Sequence, residues 1–252
     1  MGNLSAASGR KFKHIFALLM VSSCLAVAAP ILVASTALAG ALEVSPINIE
    51  VPAATQATTE SLTNMGKTPI NAQVRAYRWV TKDGQDKLEP TTDVVASPPA
   101  LKIPPGGKAT IRIVRLSKAP IAGEETYRLL IDDIPPPPTA GADSVSFAVR
   151  HNIPVFFQAG GIHSKLAWTA TASNGVLELH AKNDGELHAR LAQLAVTVNG
   201  TTTNYNNGLA GYVLGGSATS WKMKLKGLSA GNSIKITASS NDGPVDTTVQ
   251  VQ

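Results

Sequence analysis

The sequence predicts an all-β protein made of two β-sandwich domains, and three observations support this prediction. Helical periodicity is nearly absent after residue 41, whereas short apolar or alternating runs occur about every eight to fifteen residues. Glycine, proline, asparagine and aspartate separate these runs, as they do in antiparallel sandwiches. A hydrophobic content of 44% excludes a disordered chain, and 252 residues less a leader of about 40 suit two domains of roughly a hundred residues each.

The first 40 residues have the pattern of an export leader. Arg10, Lys11 and Lys13 form a basic patch, and the apolar run that follows ends in Ala37-Leu38-Ala39. This order of basic, apolar and small residues predicts a signal peptide over residues 1–40, cleaved after Ala39. The protein is therefore expected to be exported.

Two alternatives to this cleavage remain open. The apolar run is long enough to span a bilayer, so it could be a transmembrane anchor. Val21-Ser22-Ser23-Cys24 is similar to a lipoprotein box, which would place a lipid on Cys24, although the apolar run continues past that cysteine. The mass of the exported protein would distinguish a chain that begins at Gly40 from an acylated one.

The net charge of +5 belongs largely to the leader. Three of the 22 basic residues and none of the 17 acidic ones lie in residues 1–40, so the remainder carries only +2. No run of lysine or arginine is left there, and we expect no nucleic-acid partner. The single cysteine is also in the leader, which excludes an internal disulfide.

The first half of the remaining chain is predicted to hold six strands. Proline cannot donate to a β ladder and glycine accepts positive φ, so residues 82–84, 97–99, 104–107 and 135–138 are predicted to be turns or loops. The predicted strands are residues 42–51, 58–64, 70–81, 108–116, 126–132 and 144–157.

Gln158-Ala159-Gly160-Gly161 interrupts this pattern and is predicted to be a short linker. It divides the chain into domains at 41–158 and 162–252, and the second is poorer in large apolar residues. No internal repeat is evident. The strands predicted in the second domain are residues 165–172, 176–181, 189–198, 217–225, 233–238 and 247–251.

Motifs for enzymatic chemistry are missing from the sequence. It contains no G-x-S-x-G or H-E-x-x-H motif, and no thiol follows the leader. The adjacent carboxylates at 124–125 and 132–133 would point to opposite faces of a strand. Four histidines, at 151, 163, 180 and 188, are scattered without ligand spacing. We therefore expect a protein that is not an enzyme and that uses neither metal nor cofactor.

The most informative segment is a long alternating strand that starts at residue 145. Val145, Phe147 and Val149 begin its apolar face, which continues to Phe157. Thirteen residues at about 3.3 Å each would span roughly 40 Å, far more than an ordinary strand. Either the whole face is buried in its own sandwich, or its early part extends beyond the sheet and adds to a partner by β-strand addition.

Several short segments of residues 41–158 occur in an order that carries more information than any one of them. They are 42–49, 61–64, 73–79, 97–99, 103–106 before 111–113, 124–125 before 127–129, 134–135 and 153–156. Together they resemble the periplasmic pilus-assembly chaperones of chaperone–usher systems, the PapD-like superfamily. The resemblance continues more weakly to the C-terminus, and Ile153-Pro154-Val155-Phe156 is more similar to the divergent, archaic-type members.

The resemblance implies two immunoglobulin-like domains in an L or boomerang arrangement and a function without nucleotide. Such chaperones bind a pilus or fimbrial subunit that lacks its last strand, and deliver it to an outer-membrane usher. Val145, Phe147 and Val149 match the donor positions that fill the subunit's groove. The resemblance implies no membrane insertion after leader cleavage, and the apolar strand would allow self-association of the free chaperone.

Two departures from the family concern its charged residues. Asn48 and Pro154 stand where well-studied members have an arginine and a lysine that anchor the subunit's terminal carboxylate. A guanidinium can grip a carboxylate with two hydrogen bonds, so Arg112, Arg128 or Arg150 could replace that clamp, or could be solvated strand residues.

The family's interdomain charge network is matched at Glu124 and at Asp242, whereas Gln158 replaces its arginine. The rival interpretation of the whole chain is a secreted or surface-bound structural or adhesive protein whose long strand is internal. A carbohydrate-binding or hydrolytic sandwich is a third, for which the sequence offers no site.

Overall fold

The structure is a computed structural model that describes residues 41–135 and 148–252. The described residues form eighteen strands and no helix, which confirms the all-β prediction. Strands from residues 42–158 make two sheets, and strands from residues 166–250 make two more. The expectations for the leader, including cleavage after Ala39 and a lipid on Cys24, lie outside the described residues.

The first sandwich contains ten strands. One sheet has the order β1-β3-β8-β6, and the other has the order β2-β10-β9-β4-β5, with β7 paired to β4. The strands are β1 (Leu42–Ser45), β2 (Ile49–Pro52), β3 (Ala57–Asn64), β4 (Ile70–Lys82), β5 (Gln85–Pro90), β6 (Val94–Ser97), β7 (Ala100–Ile103), β8 (Lys108–Arg115), β9 (Glu124–Ile134) and β10 (Arg150–Gln158).

Alternating apolar residues of both sheets form the core of this sandwich. Leu62, Ile111, Leu129, Ile131 and Phe157 are fully buried there. Because the side chains of a strand alternate between its two faces, the residues between them point away from the core. That second set on β4, β9 and β10 forms the face described below.

The single strand predicted over residues 42–51 is in fact two. β1 pairs antiparallel with β3, whereas β2 pairs parallel with β10 in the opposite sheet. The chain crosses between the sheets at Pro46, which has no N–H to donate to a ladder. The turn predicted at residues 82–84 is present, with Asp83 and Gly84 both at positive φ, as a tight hairpin requires.

β10 is shorter than the strand predicted over residues 144–157, since it begins at Arg150. Residues 144–147 of that prediction lie outside the described residues. β9 pairs with the whole of β10, but β2 pairs with it only over residues 155–158. Along residues 150–154 one edge of β10 therefore has no strand beside it in the described part of the chain.

The second sandwich contains eight strands, with sheet orders β11-β12-β16 and β14-β13-β17-β18, and β15 paired to β13. The sequence predicted all of these except β14 and β15, which are short and mostly lack buried apolar residues. The strands are β11 (Leu166–Ser173), β12 (Val176–Asn183), β13 (Ala189–Val198), β14 (Thr201–Asn204), β15 (Leu209–Val213), β16 (Ala218–Lys224), β17 (Ser233–Ser239) and β18 (Val245–Gln250).

Candidate functional site

The face of β4, β9 and β10 that points away from the core carries an unusual mixture of arginine and aromatic side chains. We call it the β9–β10 face. The register brings its residues together in rows, because Arg128 of β9 lies between Tyr77 of β4 and Pro154 of β10. Its members are Arg75, Tyr77 and Trp79 of β4, Thr126, Arg128, Leu130 and Asp132 of β9, and Arg150, Asn152, Pro154 and Phe156 of β10.

Arg128 lies at the centre of this face with its guanidinium against aromatic rings. Its Cζ is 3.5 Å from the ring centroid of Trp79 and 5.3 Å from that of Tyr212 in the second sandwich. Burial lowers the pKa of the Arg128 guanidinium, and no carboxylate among the described residues forms an ion pair with it. It is a partly desolvated cation whose N–H groups have no anionic partner.

Arg128 lies near Asn48 and Pro154, the two positions where the resembling family has charged residues and this chain does not. Pro154 is its partner on β10, and Asn48 immediately precedes Ile49, which pairs with Val155. The Asn48 side chain donates to Glu50 at 2.8 Å. Arg128 is thus the cation that the fold brings to the place where Asn48 and Pro154 stand.

Arg150 lies at the other end of the face and already has an acidic partner. Its Nε donates to Asp132 Oδ1 at 2.5 Å, and Arg75 Nη2 donates to Asp132 Oδ2 at 2.5 Å. The hydrogen bond from Arg150, and to a smaller extent the one from Arg75, lowers the pKa of the Asp132 carboxyl below its ordinary value. This cluster ties together the ends of β4, β9 and β10.

Arg112 lies in the opposite sheet, on β8 between the fully buried residues Ile111 and Ile113. Its exposed side chain therefore points away from the core on the far side of the sandwich. The structure brings Arg128 and Arg150 onto one face and does not bring Arg112 to them.

The donor residues are only partly within the described chain. Val149 is half-buried, and its carbonyl oxygen accepts a hydrogen bond from the N–H of Asp133 at 2.9 Å, so the pairing of β9 continues beyond Arg150. Val145 and Phe147 lie outside the described residues. The segment that would carry all three leads directly into the free edge of β10.

Glu124 of the first sandwich is hydrogen-bonded to His188 of the second, a residue that the sequence did not single out. Its carboxylate accepts from His188 Nδ1 at 2.7 Å and from the His188 backbone N–H at 2.9 Å. Both side chains are fully buried, and the His188 ring stacks on Phe156 at 3.7 Å between centroids. A buried acid requires donors, but nothing in the spacing of the sequence indicated which residue supplied them.

Gln158 and Asp242 have partners on their own side of the linker. Gln158 Nε2 lies 3.5 Å from Glu50 Oε2 within the first sandwich. Asp242 accepts from the Ser164 N–H at 2.7 Å and from His163 Nδ1 at 3.0 Å, which fixes the start of the second. Because His188 occupies both oxygens of Glu124, the interdomain contact does not require either residue.

An aromatic cluster completes the contact between the sandwiches. Trp79 and Phe156 from the first pack against Leu214 and Tyr212 from the second. The rings of Trp79 and Tyr212 meet edge to face at 5.2 Å. The rings that surround Arg128 therefore come from both sandwiches.

Comparison with known proteins assigns this architecture. Residues 41–162 match the family described as pili and flagellar-assembly chaperone, PapD N-terminal domain. No curated protein sequence matches the chain. In the described residues there is no helix long and apolar enough to cross a membrane, and no cluster of three potential metal ligands.

Three solved structures illustrate the similarity. One is the CsuC chaperone in a pre-assembly complex with the tip adhesion subunit CsuE, from the archaic chaperone–usher Csu pili of Acinetobacter baumannii. It is 26% identical over 83% of this chain and 97% of that chain, with a TM-score of 0.63. The SafB chaperone bound to the SafA pilin of Salmonella enterica is 18% identical over 82% and 96%, with a TM-score of 0.58.

The CupB2 chaperone of Pseudomonas aeruginosa is 18% identical over 83% of this chain and 100% of that chain, with a TM-score of 0.55. These structures share the two-domain β-sandwich fold described above. The first sandwich thus belongs to the family of pili and flagellar-assembly chaperones, PapD N-terminal domain, and the two sandwiches together are similar to the chaperone of the archaic Csu pili.

Proposed function

We propose that the protein is a periplasmic chaperone that binds pilus or fimbrial subunits by donor-strand complementation and delivers them to an outer-membrane usher. The observation that carries this proposal is the edge of β10 at residues 150–154, which no strand of the described residues pairs with and which lies beside the guanidinium of Arg128, itself without an ion-pair partner in that part of the chain. The backbone N–H and C=O groups of this edge can hydrogen-bond to an added strand, and the positively charged guanidinium can bind a carboxylate.

The free edge suits the addition of a strand. β-strand addition takes its affinity from main-chain hydrogen bonds and its specificity from alternate side chains. A subunit strand that pairs with β10 would continue along Val149 toward Phe147 and Val145. Each of these side chains would contribute about 1.5–3 kcal/mol when buried in a subunit groove, before the cost of association.

Arg128 suits the terminal carboxylate of that subunit. The indole of Trp79 covers one face of the guanidinium at 3.5 Å, which leaves the in-plane N–H groups available. A guanidinium binds a carboxylate through two parallel hydrogen bonds, and such bonds are strengthened where water is partly excluded. Arg150 is less suited, because Asp132 already occupies it.

The choice of partner is supported by the similar proteins. The CsuC complex contains a tip adhesion subunit, and the SafB complex contains a pilin. The usher and the periplasmic location follow from the chaperone–usher resemblance together with the leader pattern of residues 1–40. Exchange of β10 for the strand of another subunit would release the chaperone without nucleotide.

Co-purification from the periplasm tests the donor strand. The chaperone is co-expressed with a pilus subunit encoded in the same genome, and Phe147→Asp and Val149→Asp are compared with Val95→Asp, at an exposed valine of β6. We expect the first two variants to lose the subunit while the third retains it. All three must unfold at the temperature of the unaltered protein, and recovery of complex by the first two would exclude donor-strand binding.

A further inference from the structure

Tyr212 places the second sandwich at the anchor site. It lies on β15, and its ring is 5.2 Å from the ring of Trp79 and 5.3 Å from Arg128 Cζ. Arg190 of β13 is its pairing partner and carries an exposed side chain. The guanidinium of Arg128 therefore lies next to a pair of contacting rings, one from each sandwich.

The Tyr212 ring lies beside the guanidinium of Arg128, and its hydroxyl has no hydrogen-bond partner among the described residues. Burial raises the pKa of Tyr212, while the positive charges of Arg128 and Arg190 act to lower it. Glu50 acts in the opposite direction, but its carboxylate already accepts hydrogen bonds from Asn48 and Gln158. The hydroxyl is thus an available donor in a locally positive region.

We infer that the carboxylate site spans both sandwiches, with Arg128 of β9 gripping a chain-terminal carboxylate and Tyr212 of β15 donating its hydroxyl to the same group. This inference rests on the proposed function, because it names the second half of the same anchor. Asn48 and Pro154 carry no charge, so the contribution of the second sandwich takes the place of a second residue from the first.

The arrangement explains why the aromatic contact lies where it does. Trp79 covers one face of the guanidinium and Tyr212 packs edge to face against Trp79, so the position of Arg128 depends on both sandwiches. A carboxylate bound to Arg128 and Tyr212 together would fasten β9 to β15. Binding of a chain end therefore depends on a residue that lies outside the donor-strand domain.

Titration with a matched pair of peptides tests this inference. The probe is the alternating peptide acetyl-Val-Thr-Val-Thr-Val-Phe with a free C-terminal carboxylate, compared with its C-terminal amide, and affinity is measured by NMR titration of the full exported chain. We expect the acid to bind the unaltered protein about tenfold more tightly than the amide, since hydrogen bonds to a charged group contribute that much.

Tyr212→Phe keeps the ring and removes only the hydroxyl. We expect it to weaken binding of the acid by about tenfold and binding of the amide much less. Tyr205→Phe, a half-exposed tyrosine of the same sandwich, is the control and should change neither affinity. A thermal unfolding curve for each variant checks that the fold is intact.

The peptide titrations distinguish the role of Tyr212 from the existence of a carboxylate anchor at Arg128. If Arg128→Gln removes the preference for the acid while Tyr212→Phe leaves it at the level of the unaltered protein, the second sandwich takes no part and the inference is wrong. If the unaltered protein shows no preference for the acid, the carboxylate anchor fails as well.

Discussion

Glu60 is a carboxyl group in the core of the first sandwich. It lies on β3, opposite Ile111 of β8, and is fully buried with neither oxygen hydrogen-bonded. Burial raises its pKa to about 8, from an ordinary value of 4.5. The folded state therefore retains a proton that the unfolded chain loses at much lower pH.

Stability should consequently fall as the pH rises between these two values. The folded protein binds one more proton than the unfolded chain from about pH 4.5 to 8, so the contribution of Glu60 is fully favourable below pH 4.5. It decreases by about 1.4 kcal/mol for each pH unit across that window. Glu60→Gln cannot titrate and should lack this decrease.

Urea unfolding of both proteins at several pH values measures the difference. All other groups titrate alike in the two proteins, so the change with pH of the gap between them isolates Glu60. Parallel stability curves from pH 5 to 8 would show that the carboxyl titrates normally in the folded state.

Arg128 and Arg112 lie on opposite sheets of the first sandwich, and they allow a comparison of two similar arginines. Both are strand arginines with no acidic partner among the described residues, but only Arg128 contacts Trp79 and the free edge of β10. We expect Arg128→Ala to weaken binding of a co-expressed subunit by tenfold or more, as loss of a charge-assisted pair would. Arg112→Ala should leave binding unchanged. Pull-down yields at equal chaperone levels measure this, and equal loss in both variants would remove Arg128 as the anchor.

Sequence alone could nominate Arg128 but not select it. Alternation predicted strands around Arg112 and Arg128 alike, and each fits an outward position equally well. What distinguishes them is the sheet to which each strand belongs and the approach of Tyr212, a residue 84 positions further along the chain. Such contacts depend on tertiary packing and leave no local pattern.

At the level of elements, each sandwich is closed at one corner by a buried asparagine. Asn64 Nδ2 donates to the carbonyl oxygens of Thr68 and Ile103, and its Oδ1 accepts from the Gly66 N–H at 2.8 Å. Asn183 makes the corresponding three bonds, to Leu187, Val213 and Gly185. The sequence showed no evident repeat, because each asparagine binds residues far along the chain, Ile103 and Gly106 for Asn64 and Val213 and Gly216 for Asn183.

Replacing either asparagine should destabilise its own sandwich to a similar extent. Asn64→Ala leaves two carbonyl groups and one N–H without their partner, and Asn183→Ala leaves two carbonyl groups and the N–H groups of Lys165 and Gly185, at a cost of about 2–4 kcal/mol in each case. Asn71→Ala, on an exposed position of β4, is the control. Denaturant unfolding followed by tryptophan fluorescence measures the loss. A change below about 0.5 kcal/mol in either variant would show that its corner is dispensable.

The elements themselves were predicted where apolar residues alternate and missed where they do not. β8 and β17 alternate clearly and were predicted nearly to the residue. β5 and β14 have no fully buried residue, so the amino-acid composition of these two segments is typical of a loop. The division of residues 42–51 could not be predicted in detail, because it depends on which sheet accepts each half of the strand.

Over the whole molecule, the buried pair of Glu124 and His188 connects the two sandwiches. The residues are separated by 64 positions and come from β9 and from the segment before β13. His188 also stacks on Phe156, so hydrogen bonding and ring packing act on the same side chain. The sequence predicted Glu124 as an interdomain residue and treated His188 as one of four scattered histidines.

His188→Ala should loosen this connection. Glu124 would lose its side-chain donor in a buried site, which costs about 2–3 kcal/mol, and Phe156 would lose its stacking partner. We expect faster proteolytic cleavage near Gly160-Gly161 in the linker, measured by a time course of limited digestion. His180→Ala, at a half-buried histidine of β12 that does not contact the first sandwich, should digest at the unaltered rate. A rate for His188→Ala equal to that of the control would assign the connection to the aromatic cluster instead.

The short reach of β2 along β10 has a geometric consequence for any chain that binds there. A strand that pairs with residues 150–154 would lie along the same edge of β10 as β2. It could not extend past Ile49, where β2 begins to occupy that edge. For its C-terminus to fall beside Arg128 it must run parallel to β10, since β10 runs from Arg150 toward Pro154 and Gln158. The start of β2 therefore fixes where the bound chain ends. The register of every earlier residue of that chain along β10 follows from this end point.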